Sequence, residues 1–158
     1  MTRRTSLLAI LLATVGTGCE TKNIPNTRIE DTKANREVVD FVEKYRHAVE
    51  DRDSIGLLHM ASTYYYDDMG TPAGEDDVDF DALKAGLVRL HDQVLAARYQ
   101  ISYRGLTYVS ESRMLVDLMY TGWFKVTTDD GPQWRRRLEP HRIVLAREDG
   151  NLKIVSGM

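Results

Sequence analysis

Apolar residues recur first at helical spacing and later at every second position, and this change of period divides the chain. Val38, Val42, Tyr45 and Val49 form one stripe of a helix that Asn35 can cap, with Glu37, Glu43, Lys44 and Arg46 around the rest of the wheel. Glu50-Asp51-Arg52-Asp53 interrupts the pattern. Ser54 then caps a short helix through Ile55, Leu57, Leu58 and Ala61, and Tyr64-Tyr65-Tyr66 begins a strand. An acidic loop over residues 67–79 carries Gly70, Pro72 and Gly74. Asp79 or Asp81 caps a third helix, whose Leu83, Leu87, Leu90 and Val94 again share a stripe.

After Arg98 the period falls to two, because Tyr99, Ile101 and Tyr103 alternate with Gln100, Ser102 and Arg104. Strands are expected over residues 99–108, 113–126, 134–147 and 152–156. They are separated by Ser110-Glu111-Ser112, Asp129-Asp130-Gly131-Pro132 and Glu148-Asp149-Gly150-Asn151. Gly122, inside a long strand, suggests a bulge or bend. Helices first and an antiparallel meander after them predict an α+β fold, with N-terminal helices packed on a curved sheet.

The first residues read as an address. Arg3 and Arg4 precede an apolar run from Leu7 to Val15 that is too short to span a bilayer comfortably, and Gly16-Thr17-Gly18 places small residues ahead of Cys19. This ending resembles the lipobox of bacterial lipoproteins, although Gly16 stands where that motif usually has Leu. The resemblance implies a signal peptide over residues 1–18 and acyl chains on Cys19 that anchor the protein to a membrane. Glu20, rather than aspartate, follows the cysteine, which points to the outer membrane, facing the periplasm. Residues 19–34 are polar, with Ile24 and Ile29 isolated and no usable period, and are expected to form a flexible tether to a domain over residues 35–158.

Three helices followed by four long antiparallel strands resemble the nuclear-transport-factor-two-like superfamily, which includes ketosteroid isomerases and polyketide cyclases. The resemblance implies a cone with an internal pocket. Such pockets serve catalysis, ligand holding and protein pairing alike, so the fold leaves the activity open. An acid–base site of the isomerase kind needs a carboxylate near a tyrosine hydroxyl; the candidates are Asp117, Tyr64, Tyr66 and Asp67. Asp117 is unusual, since it shares a strand face with Leu115 and Met119; that face is either an interior that buries the carboxyl or the solvent side of a core made by Val116, Leu118 and Tyr120. Trp123, Trp134 and Tyr120 are the candidates for stacking on a ligand, and core packing is the plain alternative.

Composition narrows the classes. With 42% hydrophobic and 28% charged residues the chain can bury an ordinary core. Loss of Arg3 and Arg4 with the leader takes the basic residues from 21 to 19 against 24 acids, a balance of about −5 that argues against nucleic-acid binding. One cysteine excludes an internal disulfide. His47, His59, His91 and His141 lack metal-ligand spacing, and the acidic loop does not follow the calcium-loop pattern, so no metal or cofactor is expected. Arg135-Arg136-Arg137 alternates faces along its strand and can pair with acids on neighbouring strands. The resulting expectation is a membrane-anchored envelope protein that binds a small apolar ligand or a protein partner without catalysis, with homodimerisation through the sheet. An isomerase-, cyclase- or dehydratase-like enzyme and a purely structural component are the alternatives.

Overall fold

The computed structural model of the chain describes residues 22–72 and 74–158. The expected signal peptide over residues 1–18 and the expected acylation site at Cys19 lie outside the described residues. Helix α1 (Lys33–Asp51) begins earlier than its apolar stripe suggests, because Thr32 rather than Asn35 takes the N-cap and its hydroxyl accepts the Asn35 N–H. The Asn35 side chain instead donates to the carbonyl of Glu30. Val38, Val39, Val42 and Tyr45 are buried on its inner stripe. Helix α2 (Ser54–Met60) is capped by Asp53, which accepts from the Gly56 N–H, while the Ser54 hydroxyl donates to the Leu87 carbonyl and ties α2 to the next helix.

The tyrosine run makes only a two-residue strand, β1 (Tyr66–Asp67), which pairs with β2 (Val78–Asp79) and closes the acidic loop between them. Asp79 caps helix α3 (Phe80–Gln93), whose Leu83 and Leu87 are buried. Val94, read above as the end of that stripe, is already the first residue of β3 (Val94–Tyr108). Strands β4 (Arg113–Thr128), β5 (Gly131–Glu148) and β6 (Asn151–Ser156) follow, each antiparallel to its predecessor, and the sheet order is β3-β4-β5-β6. The sheet is curved and remains open, since β6 pairs with β5 only from Val144 to Glu148. Asp149 and Gly150 both have positive φ and form the two-residue turn expected of an Asp-Gly pair.

Two expectations are corrected. Gly122 pairs in register with Tyr99 and makes no bulge; the irregularities of the β3–β4 pairing fall in β3, between Val94 and Ala96 and between Tyr103 and Gly105, and that of the β5–β6 pairing falls between Val144 and Leu145. Gly122 serves space instead, because a Cβ there would collide with the ring of Phe124, which folds over it. The expected tether is also folded from Lys22 onward. Asn23 bridges Glu30, the Asp31 N–H donates to the Lys22 carbonyl, and Ile24 and Ile29 enter the core at 8% and 4% exposure. The two isoleucines face inward from opposite arms of one turn, a pairing that no helical or strand period reveals.

The core lies between α1 and the concave face of the sheet, where Met114, Val116, Leu118, Ile143, Leu145 and Ile154 are almost wholly buried. Each such side chain contributes roughly 1.5–3 kcal/mol. The free edge of β3 is covered by α1: the Tyr99 N–H donates to Glu50 and the Tyr99 carbonyl accepts from Arg46, so both edge groups are satisfied. Among the described residues no helix is long and apolar enough to cross a membrane.

Candidate functional site

Alternation along β4 sends even-numbered residues to the concave side and odd-numbered ones to the convex side, and this decides where chemistry can assemble. On the concave side the tyrosines stack in series. Tyr45 of α1 meets Tyr99 edge-on at 6.3 Å between centroids, and Tyr99 lies parallel to Tyr120 at 5.0 Å. Phe124 tilts against Tyr99 at 6.5 Å, and all three tyrosines are at most 9% exposed. Tyr103, also buried, donates to Glu43 at 2.9 Å. The concave side is therefore lined by a run of contacting aromatic rings.

Proton-transfer groups gather at the rim of this stack. The Tyr120 hydroxyl donates to Glu139 Oε2 at 3.2 Å, and the Tyr120 ring meets His141 edge-on at 5.6 Å. His141 Nε2 lies 2.9 Å from the Gly157 carbonyl, so that nitrogen carries the proton. The Gly157 N–H donates to Asp67 Oδ2 at 2.6 Å, and Asp67 also accepts from the Tyr65 hydroxyl and the Met69 N–H. Gly157 has a positive φ, and a Cβ there would run into the Arg142 carbonyl, so only glycine brings the backbone this close. The rim groups are thus occupied by one another and by the backbone.

Burial pushes the stacked phenols up, which makes them persistent hydrogen-bond donors and poor bases. Tyr45 rises to about 12, chiefly by desolvation, and Tyr65, Tyr99, Tyr103 and Tyr120 rise for the same leading cause. In the unfolded chain a phenol ionises near its ordinary value of 10.0, whereas in the folded protein Tyr45 holds its proton to about 12. Between those values the unfolded state sheds protons that the folded state keeps, so stability is intact below pH 10 and falls as pH rises towards 12. Urea midpoints measured at pH 9 and pH 11.5 are expected to drop sharply across this window.

The acid–base candidates read from the sequence do not converge. Asp117 points to the convex face and is ion-paired with Arg142 across the strands at 2.7 Å, while Val116, Leu118 and Tyr120 form the core. Tyr64 is 85% exposed, and Tyr66 is exposed and bonded to Asp77. Of these four only Asp67 belongs to the concave network; Tyr120, read from the sequence as a candidate for stacking on a ligand, sits at its other end. Glu139 and His141 complete that network and were missed; their signal is alternation with Tyr120 and Leu118 as cross-strand partners, hidden in a strand that reads as basic and exposed. Among the described residues no cluster of three His, Cys, Asp or Glu side chains is placed to hold a metal ion.

The convex face carries a different assembly. The register sets Arg98, Trp123 and Arg136 in one row across three strands and Lys125 beside Trp134 in the next. The Arg98 guanidinium lies 5.5 Å from the Trp134 ring centre, and that of Arg136 lies 5.7 Å from Trp123. Arg98, Trp123 and Trp134, with Glu50 and Gln100, line an open groove of about 390 Å³, and Trp134 is 47% exposed in it; Arg136 lies beside the groove over Trp123. Glu50 brings little free charge, since it is held by Arg46 at 2.6 Å and by the Tyr99 N–H at 3.0 Å. Among the described residues neither Arg98 nor Arg136 has a carboxylate partner, so the groove is cationic and aromatic.

No protein-family model matches the chain, and no curated protein sequence does either. Solved structures do. A protein of Novosphingobium aromaticivorans provisionally assigned as a scytalone dehydratase superposes with a TM-score of 0.67 at 14% identity, covering 78% of this chain and 80% of that one. A provisionally assigned calcium/calmodulin-dependent protein kinase II association domain from Xanthomonas campestris gives 0.63 at 15% identity, over 87% and 90% of the two chains. A provisionally assigned aromatic ring hydroxylase, also from Novosphingobium aromaticivorans, gives 0.61 at 13% identity over 80% and 89%. At these identities the likeness establishes the architecture alone: helices on an open, curved four-stranded sheet, the nuclear-transport-factor-two-like α+β cone.

Proposed function

We propose that this chain is a lipid-anchored domain of a bacterial envelope that binds a small ligand with an apolar body in its convex Arg–Trp groove, without catalysis. The observation that carries the reading is the groove itself. Two tryptophans line it, Trp134 47% exposed and Trp123 partly so, with an arginine guanidinium over each ring, in a cleft whose volume suits a small molecule. Against catalysis stands the concave rim, where Tyr120, His141 and Asp67 already spend their hydrogen bonds within the fold. Anchoring rests on the lipobox-like ending at Cys19, and Glu20 after it favours the outer membrane, facing the periplasm.

The test uses 1-anilinonaphthalene-8-sulfonate excited directly, so that tryptophan is not the light absorber. Saturable fluorescence enhancement, lost in Trp134→Ala and kept in Tyr120→Phe, is expected. Enhancement unchanged in Trp134→Ala would overturn the groove reading.

A second reading, a dehydratase-like enzyme, draws on one observation: a phenol, a carboxylate and an imidazole meet at the concave rim. Under the binding reading scytalone, the substrate named for one structural neighbour, is recovered unchanged after incubation with the protein. Dehydration that disappears in Glu139→Gln would favour the enzyme instead.

A further inference from the structure

We infer that the ligand of the Arg–Trp groove is a flat molecule carrying a carboxylate; this rests on the reading of the groove as a small-molecule site. A guanidinium held over an indole by cation–π attraction keeps its edge N–H groups available for a second partner. Those groups form a fork that matches the two oxygens of a carboxylate. Arg98 lines the groove with its guanidinium 5.5 Å from the Trp134 ring centre, and Arg136, just outside it, lies 5.7 Å from the ring centre of Trp123. Both arginines lack a carboxylate partner among the described residues.

The remaining wall supports the same ligand. Glu50 would repel an anion were it free, but Arg46 and the Tyr99 N–H answer its two oxygens. Gln100 supplies an amide that can donate or accept, and Lys125, cross-strand from Trp134, adds a further cation to the convex face. The indole planes favour a thin apolar body, since a ring slides along them with full contact. A neutral apolar molecule would leave the Arg98 guanidinium fork without an acceptor. A cationic one would meet like charge from Arg98, Arg136 and Lys125.

Position also matters. The groove lies at the Arg98 end of β3, whereas the folded N-terminal turn packs beside Gly105, Leu106 and Tyr108 at the other end. The ten residue steps from Arg98 to Tyr108 span about 33 Å. A molecule entering the groove therefore approaches from the side away from the chain's anchored start.

The chain has two tryptophans, and both belong to this groove, so intrinsic emission excited at 295 nm reports on this site alone. Benzoate and its neutral counterpart benzamide are titrated into the wild-type protein, Arg98→Gln and Arg136→Gln, with far-UV circular dichroism confirming the fold of each variant. Saturable quenching by benzoate is expected, with benzamide at least about tenfold weaker and benzoate falling to the benzamide level in Arg98→Gln, as loss of a charge-assisted pair predicts. Should Arg98→Gln fail to fold, Arg136→Gln carries the comparison.

Equal binding of benzoate and benzamide would overturn the carboxylate inference while leaving the groove reading in place. Undiminished benzoate binding in the folded arginine variant would overturn it too. Silence of tryptophan emission towards both compounds, together with no enhancement of the anilinonaphthalene dye, would overturn both readings.

Discussion

Replacing Cys19 with alanine is expected to abolish acylation completely. Protein purified from bacterial membranes should have an intact mass that lacks residues 1–18 and includes added acyl chains, whereas the Cys19→Ala protein should carry none. The physical stake is large, because each buried methylene contributes about 0.8 kcal/mol and two or three chains hold firmly where one is marginal. The fold sharpens what anchoring means. Since Lys22 is already pinned to Asp31, only three peptide steps separate it from Cys19, a reach of at most about 10 Å. If Cys19 is acylated as proposed, a domain held so closely would rest on the headgroups with its N-terminal turn and leave the Arg–Trp groove at the far end of β3. Identical unacylated masses from wild type and variant would remove the anchor from the account.

Tyr99→Ala is expected to destabilise the fold by about 3–5 kcal/mol, the usual cost of deleting a buried aromatic ring. The ring is 4% exposed and touches Tyr45, Tyr120 and Phe124, so its loss opens a cavity between α1 and the sheet. Tyr99→Phe keeps the ring and removes only the hydroxyl, which should cost about 1 kcal/mol. Chemical denaturation of the two variants separates packing from hydrogen bonding. A Tyr99→Ala loss no larger than that of Tyr99→Phe would mean that the stack does not hold the helix to the sheet.

How much was legible follows from what each signal can encode. The Val38–Val42–Tyr45 stripe and the alternation from Tyr99 onward are local periods, and they specify a helix and a strand wherever the chain places them. Asp149-Gly150 is legible for a similar reason, because few residue pairs accept positive φ twice in succession. The inward fold of residues 22–31 was not legible: Ile24 and Ile29 meet through a turn, and a lone isoleucine in a polar segment carries no direction. Alternation told that Asp117 and Tyr120 face opposite ways but not which way is in. That choice belongs to α1, whose apolar stripe covers the even-numbered face of β4.

The site depended on register, which no single strand contains. Trp123 and Trp134 share a groove because Lys125 stands opposite Trp134 and Arg98 opposite Trp123, and sliding either hairpin by one residue would send them to different faces. Glu139 and His141 remained hidden for the same reason. Their partner Tyr120 lies on the neighbouring strand, and the three arginines before them mark β5 as solvent-facing.

The most direct test is a proton–nitrogen correlation spectrum of the labelled protein, in which each tryptophan gives one indole cross-peak. Titration with 1-anilinonaphthalene-8-sulfonate should shift both indole peaks along one saturating curve while the backbone peaks of Tyr99 and Tyr120 stay in place. Unmoved indole peaks with shifting Tyr99 and Tyr120 peaks would put the ligand on the concave side and contradict the account.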